Sequence, residues 1–394
     1  MPRTPLLIAA GTLVLSACGT ATGATTTSTT ATTPPFESSA PQVTVSGFEI
    51  WQRGEAPAGA PEPLIDLDEI RSGGPPPDGI PPIDDPRYLA VSDVDFLDDT
   101  EPVLAFEING DARAFPVQIM TWHEIVNDTI GGVPVTISYC PLCNSAVAYD
   151  RRFADLVLDF GTSGLLWNSA LVMYDRQTET LWSHFTGEGI VGELTGNELS
   201  SFPLATVGWA TWRDANPDGR VLSRETGHSR DYGRNPYPGY DNVDGVPFLF
   251  EGEVDGRYTA LTRMVGVEHN DDALGVPLVE LQEARVATGS VGGDDVVVWW
   301  TAGTSSALDA LSVSGGRDVG ATGVFLPVAE GQELTFSAAG DATFTDAQTS
   351  STWNVLGRAI DGELAGEQLT ALPHVDTFWF AWSTFRNDTE ILSP

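Results

Sequence analysis

The stretch Asp175-Arg176-Gln177-Thr178-Glu179-Thr180-Leu181-Trp182 returns further along the chain as Asp346-Ala347-Gln348-Thr349-Ser350-Ser351-Thr352-Trp353. The residues downstream of each stretch agree too. Gly192-Glu193-Leu194, Gly196, Leu199, Pro203, Trp209 and Trp212 are matched by Gly362-Glu363-Leu364, Gly366, Leu369, Pro373, Trp379 and Trp382. The spacing differs only by a one-residue gap after the first tryptophan. Upstream, Glu107, Asn109, Asp111-Ala112 and Pro116 are matched by Glu268, Asn270, Asp272-Ala273 and Pro277, and Gly131-Gly132 by Gly292-Gly293. Agreement in register over such distances is the mark of internal duplication. It predicts two tandem copies of one unit, residues 83–222 and 246–392, joined by a Pro/Tyr/Arg-rich connector at 223–245.

Within a copy the hydrophobic period is mostly two. Val103 to Phe106 and Ala112 to Phe115, joined through Asn109-Gly110-Asp111, read as a β-hairpin, because Asn-Gly supplies the positive φ angles that tight turns require. Pro116 suits the first turn of a helix reaching about Asn127, with Ile119, His123 and Val126 on one stripe. Val133 to Tyr139, Ala146 to Tyr149, Val157 to Phe160 and Ala170 to Tyr174 read as strands. Thr206 to Ala215 reads as a short helix stopped before Pro217. The fold class expected is α+β, with a mainly antiparallel sheet and a few short helices.

The chain has 394 residues, 41% of them hydrophobic, which is material for a sizeable core. Its 55 acidic against 19 basic residues give a net charge of −36, a field that repels phosphate backbones and excludes nucleic acid as a partner. Arg3, the apolar run Leu6 to Leu15 and then Leu15-Ser16-Ala17-Cys18 read as a lipoprotein signal peptide over 1–17, with Cys18 lipidated. Residues 18–40 are rich in Thr and Ala and read as a disordered tether. Residues 41–82, rich in proline, read as an extended strap. The expected location is the extracytoplasmic face of the cell membrane, held through Cys18. Of the three cysteines, Cys140 and Cys143 then remain as the only thiols of the mature body.

A duplication permits a comparison within one chain. Positions shared by both copies belong to the scaffold, and polar positions found in one copy only are candidates for chemistry. Trp122, His123 and Glu124 stand opposite Glu283, Ala284 and Arg285. Asn127 stands opposite Thr288, Cys140 and Cys143 opposite Thr301 and Thr304, and His184 opposite Val355. The first copy is therefore expected to carry the site, with the second as a degenerate structural repeat.

Cys140-Pro141-Leu142-Cys143-Asn144 lies between two strand-like runs. A strand–turn–strand Cys-Pro-x-Cys closed by a residue tolerant of the left-handed region is a knuckle that aims both sulfurs at one point. Three chemistries fit the pair. A soft metal, copper or zinc, would take Cys140 and Cys143 with His123 as third ligand and His184 as a further candidate; Glu124, Asn127 and Trp122 would then support the ligands from behind. A thiol–disulfide oxidoreductase would use Cys140 as nucleophile. A non-catalytic interaction module would use the pair as a structural disulfide.

Trp122-His123-Glu124-Ile125-Val126-Asn127-Asp128, Gly131-Gly132-Val133-Pro134 and Tyr139-Cys140-Pro141-Leu142-Cys143 together resemble an uncharacterised family of bacterial and archaeal secreted proteins, domain of unknown function number 3179. Gly79-Ile80-Pro81-Pro82-Ile83-Asp84-Asp85-Pro86 and Arg230-Asp231-Tyr232-Gly233 look like further parts of its pattern. In that family a glycine usually follows the second cysteine, where this chain has Asn144. The resemblance covers about residues 70–390. It implies no settled activity, only that the Trp-His-Glu and Cys-Pro-x-Cys segments belong to one site.

Overall fold

The computed structural model describes residues 45–394. The signal peptide, Cys18 and the tether fall outside the described residues. No helix among those described is long and apolar enough to cross a membrane. The chain opens with helix α1 (Gly47–Arg53), followed by the short strands β1 (Ile70–Ser72) and β2 (Tyr88–Ala90). The hairpin β3 (Pro102–Ile108) and β4 (Asp111–Pro116) comes next, then helix α2 (Val117–His123). Strands β5 (Ile125–Ile130), β6 (Val133–Cys140) and β7 (Ser145–Asp150) complete the part that positions the thiols. The later helices are α3 (Trp209–Ala215), α4 (Leu278–Ala284) and α5 (Trp379–Phe385).

The architecture is mainly β, which corrects the α+β expectation. Each of the five α-helices among the described residues is seven residues long, about two turns, too short to form a layer that could cover a sheet. Pairing is antiparallel almost throughout. The parallel pairs are marginal ones, Arg220–Leu222 on β4 and Glu390–Ile391 on Asp272–Pro277. One sheet runs in the order 201–202, β7, β6, β5, and a second in the order 205–208, β3, β4, 220–222, β2. A third places β1 beside 160–167, 170–175, 181–183 and 189–191. The later part of the chain contributes the sheets 374–378/263–269/272–277/390–391, 286–291/294–301/321–325 and 336–339/343–346/352–354/359–361.

The hairpin forms as its sequence requires. Asn109 and Gly110 have φ of 52° and 77°, and Ile108 pairs with Asp111 across the two-residue turn. Helix α2, however, ends at His123 rather than near Asn127. Glu124 takes φ 60°, and Ile125–Ile130 leaves as a strand paired with Val133–Ser138 through Gly131 and Gly132. Ile125, Val126, Thr129 and Ile130 are β-branched, and a two-sided sheet partner outweighs the helical spacing of Ile119, His123 and Val126. The proposed strap also departs from a plain extended chain, since it contains α1 and β1. Its proline-rich end turns at Pro76 to Gly79, with Asp78 at φ 53°, and the chain there is tied to two sheets: Asp78 N–H donates to Thr162 O (2.8 Å), Ile83 N–H to Ile125 O (2.9 Å) and Asn127 N–H to Ile83 O (2.9 Å).

The recurring Asp-x-Gln-Thr stretch folds as a buried carboxylate turn. Asp175, fully buried, accepts from Thr178 N–H (2.6 Å), Thr178 Oγ1, Thr180 N–H and Trp182 Nε1 (2.9 Å). Asp346, also fully buried, accepts from Thr349 N–H (2.5 Å), Thr349 Oγ1, Ser351 N–H and Trp353 Nε1 (3.0 Å). Each carboxylate fixes a turn and a tryptophan at once. Asp175→Ala and Asp346→Ala, made separately, each remove the acceptor of four donors and leave the threonine N–H and the tryptophan Nε1–H with none. Each is expected to lower the unfolding free energy by about 3 kcal/mol or more, read as a fall in the urea midpoint at unchanged slope.

Candidate functional site

The Cys loop begins where β6 ends. Cys140 pairs with Ser145, the first residue of β7, so Pro141 to Asn144 form a tight turn between paired strands. Asn144 closes it with φ 50°, the left-handed conformation expected of a knuckle, and donates its N–H to Pro141 O (3.3 Å). The turn is gripped from the second half of the chain. Cys143 O accepts from Phe378 N–H (3.2 Å) and from Thr377 Oγ1 (2.7 Å), while Asn144 Nδ2 donates to Asp376 O (3.0 Å). Tyr240 of the connector donates its hydroxyl to Leu142 O (2.9 Å) and accepts from Phe248 N–H (3.2 Å). Cys140, Leu142 and Cys143 thereby join one apolar cluster with Leu261, Met264 and Phe378 to Trp382.

Both cysteines are free thiols, so the pair is not a disulfide, and exposure is 2% at Cys140 and 0% at Cys143. Their surroundings are unequal. Burial by itself would raise the Cys140 thiol, but the Cys143 side chain and the N–H groups of Cys143, Leu171 and Leu142 face its sulfur, and the net direction is down. Cys143 goes the other way, raised by burial and by the charge it would share with Cys140. Its sulfur lies 3.0 Å from Ser145 Oγ, which lies 2.8 Å from His184 Nε2; His184 Nδ1 in turn lies 2.9 Å from Ser138 Oγ. Burial pushes the His184 imidazole down to about 3, so it is neutral, with one ring nitrogen a donor and the other an acceptor.

His123 is not brought to the sulfurs, and the expectation that it serves as their third ligand is not met. Its Nδ1 is 2.6 Å from Pro81 O and its Nε2 is 2.6 Å from the Tyr232 hydroxyl, so neither nitrogen has a lone pair left for a metal beside Cys140. Tyr232 is tied on to Thr226 Oγ1 (2.6 Å), and the His228 ring lies 5.6 Å away, centroid to centroid. Burial lowers His123 to about 4. Asn127 does not orient that ring. Its amide donates to Asp84 Oδ1 (2.8 Å) and Phe160 O (2.7 Å) and accepts from Phe160 N–H (3.1 Å), which ties β5 to the neighbouring sheet. Trp122 Nε1 is buried without a partner. Among the described residues no group of three or more His, Cys, Asp or Glu side chains is placed to hold a metal ion.

Glu124 meets the strand that leads into the Cys loop through its backbone. Its carbonyl accepts from Tyr139 N–H (2.8 Å), one residue before Cys140, and its side chain is buried with 7% exposure. Burial, and then the negative charge on Cys140, raise its carboxyl well above the usual range. His184, the weaker candidate by sequence, is the imidazole linked to the pair. Ser138, Ser145 and Tyr240 were not singled out by the sequence. Ser138 stands opposite Trp299 in the duplication, so the one-copy-only criterion flags it once applied to hydroxyls.

The molecule is thus a strand-rich protein built round a buried, reduced Cys-Pro-x-Cys knuckle. The chain belongs to the family described as protein of unknown function DUF3179, whose family model matches residues 77–389. No curated protein and no solved structure matches it.

The two buried imidazoles carry a pH signature. Their folded values, about 3 and about 4, lie below the roughly 6.5 of an unfolded histidine. The unfolded chain therefore binds more protons, and stability is lost as pH falls from about 6.5 towards 3. Urea unfolding at pH 7, 5.5 and 4.5 is expected to show this decline. His184→Gln, whose amide can still meet Ser145, is expected to show a shallower one.

Proposed function

We propose that the protein is a thiol–disulfide oxidoreductase with Cys140 as attacking sulfur and Cys143 as resolving sulfur. The observation that carries this reading is the unequal setting of two adjacent free thiols. One faces backbone N–H groups that favour its thiolate, and the other rests against a hydroxyl linked to a neutral imidazole. A nucleophile must be charged, and its partner must keep its proton until the second step. In the cycle the Cys140 thiolate attacks a disulfide of the partner to give a mixed disulfide and one partner thiolate. Cys143 then displaces the second partner sulfur from Cys140. The dithiol is oxidised by two electrons and the partner disulfide reduced to two thiols.

The competing copper or zinc reading keeps Cys140 and Cys143 but loses its third donor with His123. Redox titration of the folded protein in thiol–disulfide buffers separates the two. A reversible two-electron transition between about −120 and −270 mV, the span of catalytic pairs, is expected, and it is absent from Cys140→Ser. Failure to form the disulfide, together with an equivalent of tightly held copper or zinc, would reverse the assignment.

Access is the second requirement, and Tyr240 is the residue that limits it. Its hydroxyl holds the connector against the Cys loop through Leu142 O and Phe248 N–H. Tyr240→Phe removes both bonds without removing the ring. It is expected to speed alkylation of Cys140 about 10-fold, corresponding to roughly 1.4 kcal/mol of opening free energy, measured by mass spectrometry after timed quench.

We further propose that the chain is two copies of one unit, the second serving as buttress. The matched carboxylate turns at Asp175 and Asp346, and the matched positive φ at Glu124 and Arg285, support this. The leader motif ending at Cys18 supports a lipid-anchored, extracytoplasmic protein, where a partner bearing disulfides would be met.

A further inference from the structure

The Cys143 sulfur ends a row of buried polar contacts. Ser138 Oγ lies 2.9 Å from His184 Nδ1, His184 Nε2 lies 2.8 Å from Ser145 Oγ, and Ser145 Oγ lies 3.0 Å from Cys143 Sγ. All four residues are fully buried. Such a row can run in either of two senses, and counting hydrogens selects one. A neutral imidazole has one N–H and one bare nitrogen. With the proton on Nδ1, the ring would donate to Ser138 Oγ. The Ser138 O–H would then have no acceptor, because His184 is the only partner of that oxygen among the described residues. A buried O–H without an acceptor is costly. With the proton on Nε2, Ser138 donates to Nδ1, Nε2–H donates to Ser145 Oγ, and the Ser145 O–H is turned to Cys143 Sγ. The other end of the row agrees. The Cys143 S–H is directed to Cys140 O (3.9 Å), which leaves its sulfur to act as acceptor towards Ser145.

The scaffold does not demand these polar groups. In the register of the repeat Ser138 and His184 stand opposite Trp299 and Val355, which belong to one apolar cluster. Ser145 stands opposite Ser306, whose hydroxyl goes to Asp241 instead. Burying a serine and an imidazole where a tryptophan and a valine can pack costs desolvation. The half of the chain that bears this cost is the half that carries the thiols.

We propose that Ser145 is a catalytic residue of the second step of disulfide exchange, its O–H donating to the Cys143 sulfur as that sulfur takes on negative charge, with His184 and Ser138 as positioning residues that hold the hydroxyl in this sense. This rests on the oxidoreductase reading and adds to it the group that serves the resolving sulfur. In the first step the Cys140 thiolate forms a bond to one sulfur of a partner disulfide, the partner's S–S bond breaks, and one partner thiolate departs. That thiolate takes the Cys143 proton and becomes a thiol. The Cys143 thiolate, with the Ser145 O–H on it, then forms a bond to the Cys140 sulfur. The bond between Cys140 and the partner breaks, and the second partner sulfur leaves as a thiolate. The singly ionised dithiol has lost two electrons and the partner disulfide has gained them, giving one protein disulfide, one thiol and one thiolate. His184 acts only as a donor and takes no proton, so the burial that disfavours its imidazolium form is no obstacle.

The test follows both steps in one sample of the full chain. After mixing with 2-hydroxyethyl disulfide, acid-quenched mass spectrometry resolves the adduct on Cys140 as it forms and as it converts into the internal disulfide. Ser145→Ala is expected to slow conversion about 10-fold or more, the scale of one hydrogen bond to a charged group, while adduct formation changes less than about 3-fold. His184→Leu is expected to slow conversion similarly, and His184→Gln, whose amide N–H can donate to Ser145, to restore most of that loss. Nitrogen-15 resonances of the His184 ring, assigned by their loss in His184→Gln, are expected to show the proton on Nε2. Equal slowing of both steps marks a structural role and overturns the proposal. An unchanged conversion rate, or a ring proton on Nδ1, overturns it as well. All three outcomes leave the oxidoreductase reading intact. Failure of the parent protein to form either adduct or internal disulfide overturns that reading and this proposal together.

Discussion

The site depends on a grip between distant parts of the chain. A four-residue turn with two thiols has little to hold its shape, and in water it would sample many conformations. Here the Cys143 carbonyl is taken by two donors from strand 374–378, and the Asn144 side chain by a carbonyl of the same strand. Those bonds fix Cys143 O and Asn144, which in turn fix the left-handed closure that turns both sulfurs inwards. The apolar cluster shared with Leu261, Met264 and Phe378 to Trp382 excludes water from the turn. In that dry setting the few dipoles facing each sulfur set the direction in which each thiol is shifted, down at Cys140 and up at Cys143. The unequal thiols are therefore a product of tertiary structure and not of the Cys-Pro-Leu-Cys sequence alone.

Parts of this were legible in the sequence. The Asn109-Gly110 hairpin and the left-handed Asn144 were readable because each rests on a local conformational rule. Setting the two halves side by side singled out Cys143 and His184, which the structure links through Ser145. The errors came where tertiary pairing overrode a local pattern. Ile119, His123 and Val126 look like one helical stripe, but β-branched residues from Ile125 onwards have a strand partner across Gly131-Gly132. With the helix ended at His123, the ring faces the proline-rich strap and not the Cys loop. Ser145 and Tyr240 were out of reach, because nothing in a single sequence says that a hydroxyl two residues past a cysteine will meet a histidine from another sheet.

The buried imidazoles divide the work differently from the way their sequence context suggests. His123 belongs to the motif that resembles the family pattern, yet it acts as a tie between the strap at Pro81 and the connector at Tyr232. His184 belongs to an ordinary Trp-Ser-His-Phe stretch, yet it is linked to the Cys143 sulfur through Ser145. Burial lowers both imidazoles, which keeps them neutral in the interior.

The grip from strand 374–378 is made largely with main-chain atoms: the N–H of Phe378 and the carbonyl of Asp376. Such bonds read position and ignore most side-chain identities. That strand can drift in composition as long as its alignment with Arg263–His269 is kept. A slip of one residue would carry both groups about 3.4 Å along the sheet and turn their neighbours to the opposite face. Length changes in the loop before His374 are thus the alterations this molecule can least absorb, and any evolutionary record of the lineage should show that loop constant in size while its letters vary.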